Sequence, residues 1–330
     1  MRRVPLAAIA LVLLTACTTQ SSPTGKPPSA EDPTPTATPS PSPSATQAEP
    51  SPTPSETASA TPPRMSARFD ADGAMADVRA LAGRIGPRLA TSPAYRRSAR
   101  FVAQRFTELG YNVTTPSFPV PAGDSWGVPV DAGRSSNVVA TPADLDRTEP
   151  HLIIGAHLDT VAVAPGAEDN ASGVAIVLEL ARLAGLEGTR LPTVFVAFGA
   201  EEPVGSGDDM HHFGSRHYVR QMGRGAALRA MVSLDRVGVG TVVPVCTGPL
   251  SPANVQKRLL RLADRERIRV QRCGDNTTSD HWSFEKAGFA VARLGSTPYA
   301  GYHSAADRPR VVDQQQLSRT GRLAWAWIRA

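Results

Sequence analysis

The sequence predicts a three-layer α/β/α domain around a largely parallel mixed central sheet, and three observations carry that prediction. Compact apolar runs rich in Val and Ile recur between residues 151 and 295, they alternate with stretches at helical spacing, and charged residues fall at the ends of the runs. Strands buried on both faces read as continuous apolar runs, and their alternation with helices implies parallel pairing.

Residues 93–110 place Ala99, Val102, Phe106 and Leu109 on one helical face, with Gly110 as the stop. NVTTPSFPV (112–120) and SSNVVAT (135–141) follow as short strand candidates. HLIIGAHLD (151–159), LPTVFVAFGA (191–200), AMVSLDRVG (230–238), TVVPVC (241–246) and FAVARLG (289–295) read as buried strands. Helical stretches lie among them: NASGVAIVLELARLA, HFGSRHYVRQM, PANVQKRLLRLADRE and the last, QQQLSRTGRLAWAWIRA. There is no internal repeat.

Not all 330 residues belong to this domain. Residues 1–17 combine two arginines, a short apolar run and Leu14-Thr15-Ala16-Cys17, the layout of a secretory signal. The last four resemble the lipobox of bacterial lipoproteins, which implies Cys17 as a lipidated N-terminus and a chain exported and anchored to the outer face of the cell membrane. From Thr18 to Arg64 there is no Val, Ile, Leu, Met, Phe, Tyr or Trp, while thirteen of the thirty prolines fall here. A segment that buries nothing cannot offset the entropy of ordering, so residues 18–65 read as a disordered tether. Residues 66–330 are left as one large domain.

Charges in the first 64 residues cancel, four basic against four acidic, so the net +5 belongs to the domain. Its arginines are scattered and form no stripe suited to nucleic acid. No further run is long enough to cross a membrane, so membrane contact is expected only through the anchor. Cys246 and Cys273 read equally well as a disulfide or as two buried thiols.

Polar residues mark the strand ends: His157 and Asp159 after the first buried run, Glu201 and Glu202 after the second, Asp235 after the third. Ligands gather at the carboxyl ends of strands in open α/β sheets. Taken alone, Asp169 in PGAEDNASGV reads as a helix cap, Glu201-Glu202 as a solvated pair, and His303 as a surface histidine. Together these carboxylates would repel one another without a cation, and imidazole plus carboxylate is a ligand set suited to zinc.

GAHLDT, GAEDNASGV, FGAEE, SLDRVG, SDHWSF and GYHSAADRP, in that order, resemble the motif series of the co-catalytic dizinc aminopeptidases, a metallopeptidase family that includes glutamate carboxypeptidase-like enzymes and glutaminyl cyclases. The resemblance covers the domain from about residue 75 onward. It implies a zinc-exopeptidase fold and two Zn²⁺ per chain, with His157 and Asp235 on one ion, Glu202 and His303 on the other, and Asp169 bridging. It implies Glu201 as general base, Tyr302 on the oxyanion, Asp159 accepting the His157 imidazole N–H, and a cis peptide at Asp169-Asn170. The implied reaction is hydrolysis of a peptide substrate at its N-terminus. A carboxypeptidase, a glutaminyl cyclase and a catalytically silent binding module are the alternatives on the same scaffold.

Two stretches depart from the family pattern. PVGSGDDMHHF separates Glu202 from Gly214-Ser215-Arg216-His217-Tyr218, so Asp208, Asp209, His211 and His212 read as a rim loop or an extra metal site. Thr278 stands where some relatives carry a basic residue, and Trp282 and Phe284 suit either a substrate pocket or the core.

Overall fold

The computed structural model describes residues 67–223 and 225–330. The signal-like segment with Cys17 and the stretch expected to be a tether lie outside the described residues.

Helix α1 (Ala71–Val78) opens the domain, capped by the Asp70 carboxylate, and continues into a π-helical turn over Arg79–Ile85. Helix α2 (Pro93–Glu108) starts on the Ser92 hydroxyl with proline in its first turn, where a missing N–H costs nothing. Strands β1 (Asn112–Thr114), β2 (Ser117–Val120), β3 (Gly123–Asp124), β4 (Pro129–Val130), β5 (Gly133–Ser136) and β6 (Val138–Thr141) follow. Then come β7 (His151–His157), α3 (Ser172–Glu187), β8 (Thr193–Phe198), α4 (Phe213–Met222), β9 (Leu228–Asp235) and β10 (Val243–Cys246). The chain ends with α5 (Asn254–Arg265), β11 (Val270–Cys273), α6 (His281–Lys286), β12 (Val291–Gly295) and α7 (Gln314–Arg329).

Eight strands form the central sheet in the order β1-β6-β8-β7-β9-β12-β10-β11. β8, β7, β9 and β12 run parallel, whereas the β1–β6, β6–β8 and β10–β12 pairings are antiparallel, so the sheet is mixed with a parallel centre. β2 with β5, and β3 with β4, make small hairpins outside it. The first helix, the edge strand β11 and the short α6 are elements that hydrophobic periodicity did not reveal.

Alternation along the central strands divides the core in two. Leu152, Ile154, Phe195, Ala197, Val232 and Leu234 face the larger layer, with α1, α2, α3, α5 and α7. Ile153, Val196, Phe198 and Met231 face the smaller layer, where Tyr218 of α4 and Phe284 of α6 pack. Phe284 is thus core. Burying each such side chain contributes roughly 1.5–3 kcal/mol. Because side chains alternate, His157 and Asp235 share the smaller layer's side with Arg293, whose register partner on β9 is Ser233.

Cys246 and Cys273 are joined by a disulfide across the parallel pair β10–β11, where they are register partners.

A buried arginine holds the approach to the strand ends. Arg88 donates to the carbonyls of Leu81, Gly86, Leu158, Pro165 and Gly166, tying the first helix to the loop between β7 and α3. Gly166 is left-handed (φ 64°), and a Cβ there would collide with the Asp169 carbonyl and Thr160. Replacement of Arg88 by Met would strand several buried carbonyls, each at about 1–3 kcal/mol. The expected outcome is a loss of at least about 3 kcal/mol in urea unfolding; a loss below about 1 kcal/mol would show that the carbonyls find other donors.

Candidate metal centre and active site

Adjacent parallel strands β8, β7 and β9 end side by side, and this alignment gathers the charged residues. His157 is the last residue of β7 and Asp235 the last of β9; Glu201 and Glu202 stand three and four residues beyond Phe198 of β8. Asp169 arrives on the loop from β7 to α3, and His303 on the loop from β12 to α7.

Asp169 occupies the middle. Its Oδ1 lies 3.1 Å from His157 Nε2 and its Oδ2 3.2 Å from His303 Nε2. His303 Nε2 is also 3.2 Å from Glu202 Oε2, and His157 Nε2 is 3.8 Å from Asp235 Oδ1 and 4.0 Å from Glu201 Oε2. All these side chains are buried or nearly so.

The plain helix-cap reading of Asp169 does not hold. Capping falls to its neighbour: Asn170 Oδ1 accepts the Gly173 N–H at 3.0 Å, while its Nδ2 donates to the Leu234 carbonyl at 2.8 Å. A Cβ on Gly173 would sit 2.5 Å from Asn170 Oδ1 and 2.6 Å from the Leu234 carbonyl oxygen, so a side chain there would break the cap. The Asp169–Asn170 peptide is cis. With the cap supplied by Asn170, the Asp169 carboxylate faces the histidines.

Other carboxylates act as clamps on main-chain N–H groups. Asp159 accepts from the amides of Glu201 and Glu202, both at 3.0 Å, and so fixes the turn that presents them. This differs from the role read from sequence. The His157 Nδ1 contact is to the Asp159 main-chain carbonyl at 3.2 Å, and the carboxylate, committed to the two amides, stays 3.9 Å away. Asp307 takes the amides of Glu168 and Asp169 at 2.8 and 3.1 Å, and Glu168 takes those of Gly238 and Val239. Sequence reasoning passed over Glu168 and Asp307 because a buried carboxylate on a loop amide leaves no periodic trace.

Charge in the cluster is unevenly held. Burial opposes ionisation of Asp169, but hydrogen bonds from His157 and His303 outweigh it and keep its pKa at about 2. Asp235 is likewise held low against burial by Arg293, whose fully buried guanidinium lies 3.1 Å from Oδ1 and donates also to Thr278 and Asn276. Burial, reinforced by neighbouring carboxylates, pushes Glu201 and Glu202 up to about 8. Against the cost of burial, surrounding carboxylates raise His157 well above its ordinary range and His303 to about 9. The protein thus recruits positive charge from its own imidazoles, the role a cation would fill.

The donor set fits a metal. Ligand atoms of His157, Asp169 and Glu202, and those of His157, Glu201 and Asp235, lie within 4.8 Å of one another. Glu202 Oε1 and His303 Nδ1 are buried with no hydrogen-bond partner among the described residues. Imidazole and carboxylate without thiolate suits zinc with open positions.

Aromatic rings rim the cluster. Tyr302, 40 % exposed, stacks on His303 at 3.7 Å between ring centres, beneath the Arg236 guanidinium. Trp126, at the tip of the β3–β4 hairpin and 55 % exposed, meets His303 edge-on at 4.3 Å. Trp126 escaped sequence reading because nothing local connects DSWG to residue 303.

The inserted loop reaches the same place. His212 is buried with Nε2 3.1 Å from Glu201 Oε1, and its ring packs on His211. Asp208, by contrast, is taken by Trp282 Nε1 and Lys286 Nζ, and Asp209 by Arg216. Asp280 and His281 are buried behind the cluster, His281 bonding the Asn276 carbonyl.

The model of Peptidase family M28 matches residues 137–328. "Aminopeptidase YwaD" of Bacillus subtilis (strain 168) is 26 % identical over 208 residues, 59 % of this chain and 44 % of that protein. The chain spans about half the length of the first curated relatives it matches. The structure of BSAP, a zinc aminopeptidase from Bacillus subtilis, superposes with TM-score 0.69 at 18 % identity, over 80 % of this chain and 95 % of that one. Glutaminyl cyclase from Bacteroides thetaiotaomicron superposes with TM-score 0.68 at 21 % identity, over 79 % and 98 %. Both likenesses establish the fold.

A pH test follows from the charges. The pKa of His303 rises from 6.5 to about 9 in the fold, so its protonated form stabilises metal-free protein fully below pH 6.5, and that contribution is lost as pH rises through about 9. Glu201 and Glu202, also raised, act in the same direction as pH passes about 8. Chelator-treated protein is expected to melt at a markedly lower temperature at pH 9 than at pH 6.5, with zinc removing most of the difference. Equal melting temperatures without metal would contradict this balance of charge.

Proposed function

The chain belongs to peptidase family M28, and from that premise we propose that it is a zinc-dependent exopeptidase removing residues from the free N-terminus of peptides. One observation carries the reading: Asp169 offers one carboxylate oxygen to His157 and the other to His303. A carboxylate shared in this way suits a ligand common to two cations. On this reading His157 and Asp235 would hold one zinc ion, Glu202 and His303 would hold a second, and Asp169 would serve both. Zinc held there would supply charge that offsets the carboxylates, polarisation of the scissile carbonyl and a water of pKa near 7.

Glu201 keeps the proton work. Neighbouring side chains diverge at a strand end, so Glu201 and Glu202 do not serve the same ion in the same way. Burial and the neighbouring carboxylates raise the Glu201 pKa in the metal-free cluster, and cations among those carboxylates would favour the ionised form that can accept a proton. Glu201 takes a proton from the attacking water and returns it to the leaving amine. Asp159, clamped to both amides, orients the pair. Tyr302, at the mouth, donates its hydroxyl to the developing oxyanion, and with Trp126 it narrows the access of solvent.

Export and lipidation at Cys17 would place this chemistry at the outer face of the cell membrane, acting on peptides there; the signal-like first 17 residues support that part.

Two measurements test the proposal. Glu201→Ala is expected to retain the wild-type zinc content while turnover falls about 10²–10⁴-fold; near-normal turnover would remove Glu201 from the mechanism. Peptides with free, N-blocked and C-blocked ends, assayed with and without chelator, separate the reactions. Cleavage of N-free peptides alone, lost on chelation and restored by zinc, is the expected result. Ammonia release from N-terminal Gln without cleavage would make the protein a cyclase, and equal cleavage of N-blocked peptides would exclude an aminopeptidase.

A further inference from the structure

The sheet has a second charged end. Arg229 is the second residue of β9 and Asp235 its last, and six residues at about 3.3 Å each put the two about 20 Å apart. At the Arg229 end lies a pocket of about 310 Å³, whose apolar wall includes Leu152 and Trp327 and whose polar wall includes Arg190, Arg229, Arg258 and Arg261. The four guanidinium groups come from three places: the turn before β8, the start of β9 and one face of α5, where Arg258 and Arg261 are three residues apart.

These arginines have almost no internal partners. Arg190 donates to a main-chain carboxylate oxygen of Ala330 at 3.2 Å. Among the described residues Arg229, Arg258 and Arg261 make no ion pair or side-chain hydrogen bond, and the pocket's acidic complement is confined to the main-chain carboxylate of Ala330, with no Asp or Glu side chain. Like charges so close repel: partial burial and the nearness of Arg190 and Arg261 lower the pKa of Arg258. Asn254, the first residue of α5, also lines the pocket; its Oδ1 accepts the Val255 N–H at 2.8 Å, and the Ala253 cap offers no further side chain to the helix N-terminus. The positive end of the helix dipole therefore adds to the same field.

We propose that this pocket is an anion site for a phosphate group, held between the guanidinium forks of Arg190, Arg229, Arg258 and Arg261. A planar guanidinium pairs two-pronged with phosphate oxygens, and a dianion offsets the surplus better than a single carboxylate. The apolar wall has room for the organic part of a phosphate ester. A soluble phosphate compound and a phospholipid headgroup share this chemistry. The site is independent of the peptidase reading, since no residue of the carboxylate cluster lines it.

The test is calorimetric titration of inorganic phosphate into full-length protein at low ionic strength, compared with Arg258→Gln/Arg261→Gln. Wild-type protein is expected to bind one phosphate, and the double variant at least about tenfold more weakly, as loss of two charge-assisted contacts implies. An unchanged melting temperature shows that the variant folds, and Arg229→Gln serves as a second variant if it does not. Absence of binding to wild type overturns the proposal. So does binding of equal strength in the variants, which would place phosphate elsewhere, the metal centre included. Sedimentation with phosphatidylglycerol vesicles, with phosphatidylcholine vesicles as control, separates the sources. Retention that falls in the double variant supports a headgroup, and phosphate binding without such a fall supports a soluble ligand.

Discussion

Crowding of carboxylates at the ends of three adjacent parallel strands is the constraint from which the rest of this structure follows. Asp169, Glu201, Glu202 and Asp235 are buried close together, an arrangement that water would resist and a low-dielectric interior resists more. The fold answers with positive charge on one side, from His157, His303 and Arg293. On the other side it spends further buried acids, Asp159, Glu168 and Asp307, on main-chain N–H groups. Each clamp immobilises a loop that carries a neighbour of the cluster, so a site assembled from residues 157 to 303 holds its shape without being local in sequence.

Much of this was legible beforehand. Strands buried on both faces announce themselves as uninterrupted apolar runs, and the charged residues at their ends announced a crevice. Asp169 was harder, because a capping aspartate and a site aspartate look alike in a sequence; only the assignment of the cap to Asn170 separates them. Arg88, Arg293, Glu168 and Asp307 were illegible for a common reason. Their partners are main-chain atoms or side chains far along the chain, and neither leaves a period or a spacing to read. The first helix was missed because its turn widens to a π-helix over RALAGRI, which blurs the 3.6-residue pattern.

Asp159 meets a different set of partners from the one the resemblance implies. Two residues past a histidine, a carboxylate is well placed to orient the imidazole. Here the backbone carbonyl of the same residue contacts the ring, and the carboxylate reaches across to the next strand end. Orientation of the histidine and presentation of the glutamates are thus coupled through one residue.

The outer strands have a consequence for the company the domain keeps. β1 and β11, the two edges of the sheet, are only three and four residues long, and the second presents Gln271 and Arg272 outward. Short, polar edges offer little backbone for a neighbouring molecule to pair with. The Cys246–Cys273 bond pins the second edge over β10, whose Val243 and Val245 are buried. That bond adds a covalent tie to the four-residue backbone pairing that keeps β11 beside β10. With β11 held in place, the apolar β10 stays an interior strand and the polar β11 is the one that meets solvent.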